Sequence, residues 1–188
     1  MHLIEFVGNV GSGKSTQARF LAETLNTPTS PWRHISSGEI LRQLADQTAS
    51  TDDDEALKRG EMTPDEVVMP LMFAELQTTK DSDESLVLDG FPRTLLQYQE
   101  FKAAGWALVA VIELLVHPDE SKRRQLGRGR PGDTEDNWQI RNQFYQTETQ
   151  AMLASMVADG VTHIKVDGNL TPEETRGAVL RAWEESQR

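Results

Sequence analysis

Cysteine is absent from the 188 residues. That excludes disulfides and cysteine-ligated zinc, and the four histidines, scattered with no H-x₃-H pair, offer no substitute cluster. No apolar run approaches the ~18 residues that a membrane span requires, so no membrane partner is expected. Positive charge is also scarce: 19 Lys and Arg against 30 Asp and Glu leave a formal net charge of −11. Such a surface is not built to coat a polyanion, and no nucleic-acid partner is expected. Aromatic residues make up only 6% of the chain and do not cluster, so Trp32, Trp106, Trp138 and Trp183 read as packing residues rather than base-stacking platforms. No internal repeat is evident. No signal-peptide segment precedes the first apolar run, and a cytoplasmic protein is the expectation.

What is present suits one compact domain with small movable inserts and no independent second domain: 37% hydrophobic and 26% charged residues over a length that buries a full core. Apolar, β-branched-rich runs occur at 3–7, 86–88, 107–116 and 161–166, with a shorter candidate at His34-Ile35. Segments of helical period separate them, at about 14–26, 37–48, 64–79, 95–104, 118–127, 137–158 and 171–186. Strands alternating with helices imply right-handed crossovers and a parallel sheet covered on both faces. The fold class is therefore α/β, a three-layer α/β/α arrangement about a five-stranded parallel sheet. Ligands in such folds lie at the carboxyl ends of the strands, where Gly8, Asp89 and His117 fall. The acidic run Asp52 to Glu55, within 46–60, reads as a solvated connector and helix start.

The strongest motif is Gly8-Asn9-Val10-Gly11-Ser12-Gly13-Lys14-Ser15, which fits G-x-x-x-x-G-K-[ST] between a strand and a helix. Its glycines let successive N–H groups turn inward on phosphate oxygens at a helix N-terminus. Lys14 supplies a mobile cation, and the Ser15 hydroxyl is placed to meet Mg²⁺. Asp89, at a neighbouring strand end, is a candidate to orient that ion directly or through water; the alternative is a helix cap. Arg93, one turn on, is placed for fork-type pairing with a phosphate or for a surface salt bridge. Ser37 can cap the helix whose early turn carries Arg42, and beside the loop and Asp89 that arginine becomes a second phosphate clamp. Arg124, Arg128, Arg130 and Arg141 converge from both sides of the Gly- and Pro-containing segment 127–136, which a plain surface turn does not explain.

Taken together these segments resemble the adenylate kinase family of nucleoside monophosphate kinases, from residue 3 to about 181. Gly8 to Ala18 is similar to the family's loop, commonly G-x-P-G-S-G-K-G-T-Q. His34 to Arg42 resembles H-I-S-[ST]-G-D-x-x-R. Asp89 to Thr94, with Gln97, resembles D-G-F-P-R-T-x-x-Q. Arg124-x₃-Arg128-Gly-Arg130, with Arg141-x₃-Tyr145, is similar to the lid and the helix after it. The resemblance implies a core of 1–36, 80–127 and 137–188, a helical monophosphate-binding insert of about 37–79, and a short lid of about 128–136. It implies that Gly8, Gly11, Ser12, Gly13, Lys14, Ser15 and Thr16 hold ATP, with Arg124 over its base and Leu170 touching it. It implies that Ser37, Gly38, Arg42, Thr63, Gly90, Arg93 and Gln97 bind AMP, with Gln97 on the adenine edge and backbone of 61–64 in the pocket. Lys14, Arg93, Arg128, Arg130 and Arg141 would be the catalytic set: Lys14 on the ATP phosphates, Arg93 with Arg42 on the AMP phosphate, and Arg128, which also binds ATP, with Arg130 and Arg141 around the transferring phosphoryl group. Mg²⁺ would sit at Ser15 and Asp89, directly or via water, and no zinc is implied.

The implied reaction is ATP + AMP ⇌ 2 ADP in a monomer. Gln97 and Thr94 favour AMP, since pyrimidine-specific relatives usually carry Asn after Phe-Pro-Arg. A kinase with another or broader acceptor (UMP, CMP, GMP), and a nucleotide sensor with slow ATPase activity, stand as alternatives. Several positions depart from the pattern. Asn9-Val10 replaces a small residue and proline, Ser15 a frequent glycine, and Glu39 the usual Asp. Arg130-Pro131-Gly132-Asp133 stands where Arg-x-Asp-Asp is common, and the interval from Arg128 to Arg141 leaves no room for a long lid.

Overall fold

A computed structural model describes residues 2–47, 63–130 and 132–188. Strands β1 (Leu3–Gly8), β2 (Trp32–Ser36), β3 (Ser85–Asp89), β4 (Ala110–Leu115) and β5 (Thr162–Asp167) form one parallel sheet in the order β2-β3-β1-β4-β5. Successive strands leave β1 first toward β2 and β3 and then cross to β4 and β5. That reversal opens a crevice at the carboxyl ends of β1, β3 and β4.

The strand alternation divides the core. Ile4 and Phe6 of β1 join Val87, Ile112, Leu114, Ile164 and Val166 on one face. Helices α1 (Lys14–Leu25) and α8 (Pro172–Ser186) cover it with Leu21, Ala22, Val179 and Trp183. Leu3 and Val7 point the other way with Leu86, Leu88 and Val111. There α3 (Asp65–Gln77), α4 (Leu95–Ala103) and α7 (Gln150–Ala158) add Met72, Leu76, Phe101, Met152 and Met156. Each such side chain contributes roughly 1.5–3 kcal/mol on burial. The remaining helices are α2 (Ser37–Gln47), α5 (Pro118–Arg128) and α6 (Glu135–Phe144).

Local signals set the boundaries. Thr171 and Glu174 form a capping box ahead of α8, with Pro172 in its first turn. Thr94 and Thr134 accept from Gln97 N–H and Asn137 N–H to start α4 and α6. Two expectations are revised. The apolar run 107–116 yields a strand only from Ala110, because Trp106 and Leu108 enter the core before the chain straightens. The helix expected over 137–158 starts at Glu135 behind its cap and is interrupted by a π segment, Tyr145–Thr149. The tryptophans pack as expected: Trp106 and Trp183 are buried, Trp32 lies against His2 and Trp183, and Trp138 Nε1 donates to Ser121 Oγ at 3.0 Å. The acidic run 52–55, Glu61 and Pro131 lie outside the described residues.

Candidate active site

The loop after β1 is braced from outside and open inside. Gly11, at φ 74°, lies so close to α5 that a Cβ there would sit 2.4 Å from Ser121 O. Ser121 Oγ in turn donates to Val10 O at 2.6 Å. Helix α1 begins at Gly13 without a side-chain cap, so its first N–H groups remain available to an anion. Asn9, buried, explains one departure from the expected pattern. Its Nδ2 donates to Asn142 Oδ1 at 2.6 Å while its Oδ1 accepts from Val10 N–H at 2.8 Å. The loop is thereby tied to α6, beside Arg141. Lys14 Nζ reaches Asn9 O at 3.4 Å.

Across the crevice, Asp89 closes β3 and is almost fully buried. It caps no helix. Ser36 Oγ donates to its Oδ2 at 3.2 Å, while Oδ1 is buried with no partner. The chain then turns through Gly90 and a cis Phe91–Pro92 peptide. Gly90 has φ 82°, and a Cβ would lie 2.7 Å from Ser37 Oγ and 2.4 Å from the Arg93 guanidinium, so only glycine fits. Ser37 does not cap α2, as the capping reading supposed: it is itself helical, and its Oγ donates to Gly90 O at 2.7 Å. Arg93 N–H donates to Gln97 Oε1 at 2.7 Å, and Gln97 Nε2 to Asp65 Oδ1 at 2.7 Å.

A cavity of about 540 Å³ joins these pieces. Gly8, Gly11, Lys14 and Ser15 border it on one side; Ser37, Gly38, Arg42, Thr63, Asp89, Gly90, Arg93 and Gln97 on the other; and Arg128, Arg130 and Arg141 between them. Arg124 is elsewhere. With Ser12, Gly13, Thr16 and Leu170 it lines a second cavity of about 490 Å³ that shares Gly11 with the first. Its guanidinium donates to Gly168 O at 2.6 Å and to Leu170 O at 3.3 Å. Glu39 pairs with Arg19 at the surface. In the lid, Arg128 makes a fork-type pair with Asp133 at 2.9 and 2.5 Å, and Arg130 N–H donates to the same carboxylate at 2.9 Å. The Asp133 carboxylate that remains of the Arg-x-Asp-Asp pattern is the one that holds Arg128.

Charge in this cavity is uneven. Burial, with Arg93, Arg141 and Arg128 adding to it and Asp89 opposing, pushes the Lys14 ammonium down to about 8. Burial and then neighbouring guanidinium groups also depress Arg141 and Arg130. The crowding of cations marks a place suited to an anion. Beneath it lies Glu5, fully buried, whose Oε1 accepts from Gly90 N–H at 3.2 Å and whose Oε2 has no partner. Burial, followed by the charge of Asp89, raises its carboxyl well above the ordinary range.

Behind the cavity, Glu113 of β4 accepts from Tyr145 Oη at 2.5 Å and Gln150 Nε2 at 2.8 Å, and pairs with His163 Nε2 at 2.9 Å. Those partners outweigh its burial and hold it below the ordinary range. Tyr145 and Thr149 bound the π segment; Thr149 Oγ1 donates to Arg93 O at 3.2 Å. The extra residue in that turn lets one helical run touch the loop, the sheet and the Arg93 turn at once. Motif reading missed Glu5, Asp65, Glu113 and Asn142. A single carboxylate inside an apolar strand was the signal for Glu5 and Glu113; Asp65 and Asn142 carry none.

With the geometry in hand, comparison with known proteins is informative. A family model described as "Adenylate kinase" matches residues 6–160. The adenylate kinase 1 of Nostoc sp. is 34% identical over 175 residues, covering 90% of this chain and 91% of its own. The adenylate kinase of Thermus thermophilus is 31% identical over 187 residues, 94% of each chain, and that of Clavibacter michiganensis is 36% identical over 172 residues, 86% of this chain and 82% of its own.

Proposed function

This chain belongs to the adenylate kinase family, and on that premise we infer that its cavity holds ATP and AMP together for the reversible transfer ATP + AMP ⇌ 2 ADP. It is a phosphotransferase acting on a nucleoside monophosphate. The observation that carries the assignment of sites is one cavity bordered by a phosphate loop on one side and by Arg42 and Arg93 on the other, with further arginines between. A slow ATPase sensor has no use for a second anion clamp.

The chemistry follows from the charges. Two polyanions repel each other across the reaction centre, and the transferring group spreads its charge over three equatorial oxygens. The uncapped start of α1 and Lys14 hold the ATP phosphates, while the second cavity, with Arg124 and Leu170, takes its base. Arg42 and Arg93 grip the AMP phosphate, and Gln97 meets the acceptor base. Arg128, Arg130 and Arg141 surround the group in flight, so catalysis is positioning and electrostatic stabilisation with no protein nucleophile. Closure of the short lid over the nucleotides excludes water and directs transfer to AMP instead of hydrolysis. Mg²⁺ fits this site: the Ser15 hydroxyl and Asp89, with its partnerless buried Oδ1, would hold it directly or through water. Held there with ATP, it would supply positive charge against the phosphate oxygens.

The test is to incubate the protein with ADP and Mg²⁺ alone. Equal amounts of ATP and AMP are expected. Arg93→Ala is expected to lower kcat by on the order of 10³-fold while ATP affinity, measured by calorimetry, stays within about threefold of the parent. Loss of ATP binding in that variant would overturn the site assignment.

A further inference from the structure

Reading an acceptor base with glutamine raises a problem that the family assignment does not settle. A glutamine amide presents a carbonyl oxygen and an NH₂ group side by side, and rotating its last torsion exchanges them at little intrinsic cost. Adenine offers a donor at its 6-amino group and an acceptor at N1. Guanine offers the reverse, an acceptor at O6 and a donor at N1. A glutamine free to turn would pair with either purine.

Gln97 is not free to turn. It is buried at the cavity edge, and both ends of its amide are engaged. Nε2 donates to Asp65 Oδ1 at 2.7 Å, and Oε1 accepts from Arg93 N–H at 2.7 Å. The reversed amide would set its oxygen against a carboxylate oxygen and its NH₂ against a backbone N–H, replacing two hydrogen bonds by two like-to-like contacts. Asp65 is locked in turn. The Thr94 hydroxyl oxygen accepts from Gln97 N–H at 3.1 Å, so its hydrogen is left to donate to Asp65 Oδ2, 3.0 Å away. Asp65, Thr94, Gln97 and the Arg93 amide thus close a ring of four hydrogen bonds whose directions fix one another. Gln97 keeps one N–H and one lone pair for a ligand, in a single order.

We propose that Asp65 is a specificity-determining residue for the acceptor, holding Gln97 in the one amide orientation that pairs with adenine and opposes guanine. This rests on the reading of Gln97 as the acceptor-base contact. Asp65 does not touch the nucleotide in this scheme; it acts through the amide. Its position at the first turn of α3, which opens the far wall of the cavity, couples base recognition to that helix.

The experiment compares kcat/KM for AMP and GMP, with ATP as donor, in the parent protein, Asp65→Asn and Gln97→Ala. An asparagine at 65 presents either a carbonyl or an NH₂ to Gln97 and so lifts one of the two contacts that oppose the reversed amide, leaving Arg93 N–H as the other. The expected result is a fall of about tenfold or more in the AMP to GMP ratio in Asp65→Asn, part of it a gain with GMP, and loss of the preference in Gln97→Ala. Equal losses with both nucleotides in Asp65→Asn, while Gln97→Ala removes the preference, would overturn the orienting role and leave the reading of Gln97 intact. An unchanged preference in Gln97→Ala would overturn that reading and the inference with it. Should Asp65→Asn not fold, the unaltered protein decides: a scalar coupling across the hydrogen bond from Gln97 Nε2 to Asp65 Cγ, measured by NMR with AMP bound, supports the orientation, and coupling from Nε2 to another acceptor overturns it.

Discussion

The floor of the cavity under β1 and the wall behind it on β4 each contain a glutamate buried in the sheet, and the two are treated in opposite ways. Glu5 has one backbone donor and an oxygen with no partner, and its carboxyl is pushed well above the ordinary range. Glu113, similarly hidden, is met by Tyr145, Gln150 and His163 and is held below that range. Burial therefore does not decide the charge state; the supply of donors does. The wall is complete without a ligand and fixes shape. At the floor Asp89 Oδ1 also lacks a partner. Asn9 and Thr149 join the two, from the loop to α6 and from the π segment to Arg93.

The comparison breaks most visibly at the wall. Glu113→Ala removes the acceptor shared by three side chains from different elements. An expected loss of about 3 kcal/mol follows from stranding the buried donors that it accepts from. For a chain of this size that is on the order of 10 °C in Tm, measured by calorimetry. A shift under about 2 °C would mean that water takes over the acceptor role and that the wall is no more complete than the floor.

Legibility in the sequence followed a similar division. The phosphate loop, the Asp89–Arg93 turn and the arginines around the lid were readable because each needs particular residues at fixed local spacing. Gly90 is an example: its positive φ and the closeness of Ser37 and Arg93 admit no side chain. Strand alternation likewise revealed the sheet, though not that Leu108 would leave the apolar run to pack before β4. What stayed hidden depends on partners far apart in the chain. Asp65 meets Gln97 across 32 residues and Asn9 meets Asn142 across 133. The π segment leaves no period to detect, since a single added residue breaks the helical repeat only locally. Ser37 was misread for a related reason: a serine before a helical pattern suggests a cap, and only the fold brings Gly90 O to its hydroxyl.

At the floor the sharper test is pH. Burial pushes Lys14 down to about 8, and on the proposed assignment the ATP phosphates would raise that value by pairing with the ammonium. ATP affinity should level off as pH falls from 8 toward 7, where the lysine becomes fully charged. Above pH 8, binding must draw a proton from solvent, so Kd rises up to tenfold per pH unit until the raised, bound-state value is reached. Calorimetry at pH 8.5 in buffers of different ionisation enthalpy should register that proton uptake. Flat affinity from pH 7 to about 9.5 would show that the lysine stays charged in the ligand-free site and that burial and neighbouring cations weigh on it less than the geometry indicates.

The smallest effect concerns Glu5 itself and turns on sign. A carboxyl whose folded-state pKa lies above its unfolded value is favourable to the fold in acid, where it is protonated in both states. That advantage is lost as pH climbs from the unfolded value through the folded one. Glu5→Gln keeps an oxygen for Gly90 N–H and cannot ionise, so it should match the parent's stability near pH 4 and exceed it increasingly above. A gain of about 2 to 4 °C in Tm at pH 8 is the shift that roughly 1 kcal/mol produces in a chain of this length. Glu113→Gln, measured in parallel, should behave oppositely, because a group held below its ordinary range stabilises at neutral pH and loses that contribution only as pH falls. If both glutamines lowered Tm at pH 8, Glu5 would be an ionised group with donors of its own, and the floor and the wall would be built alike.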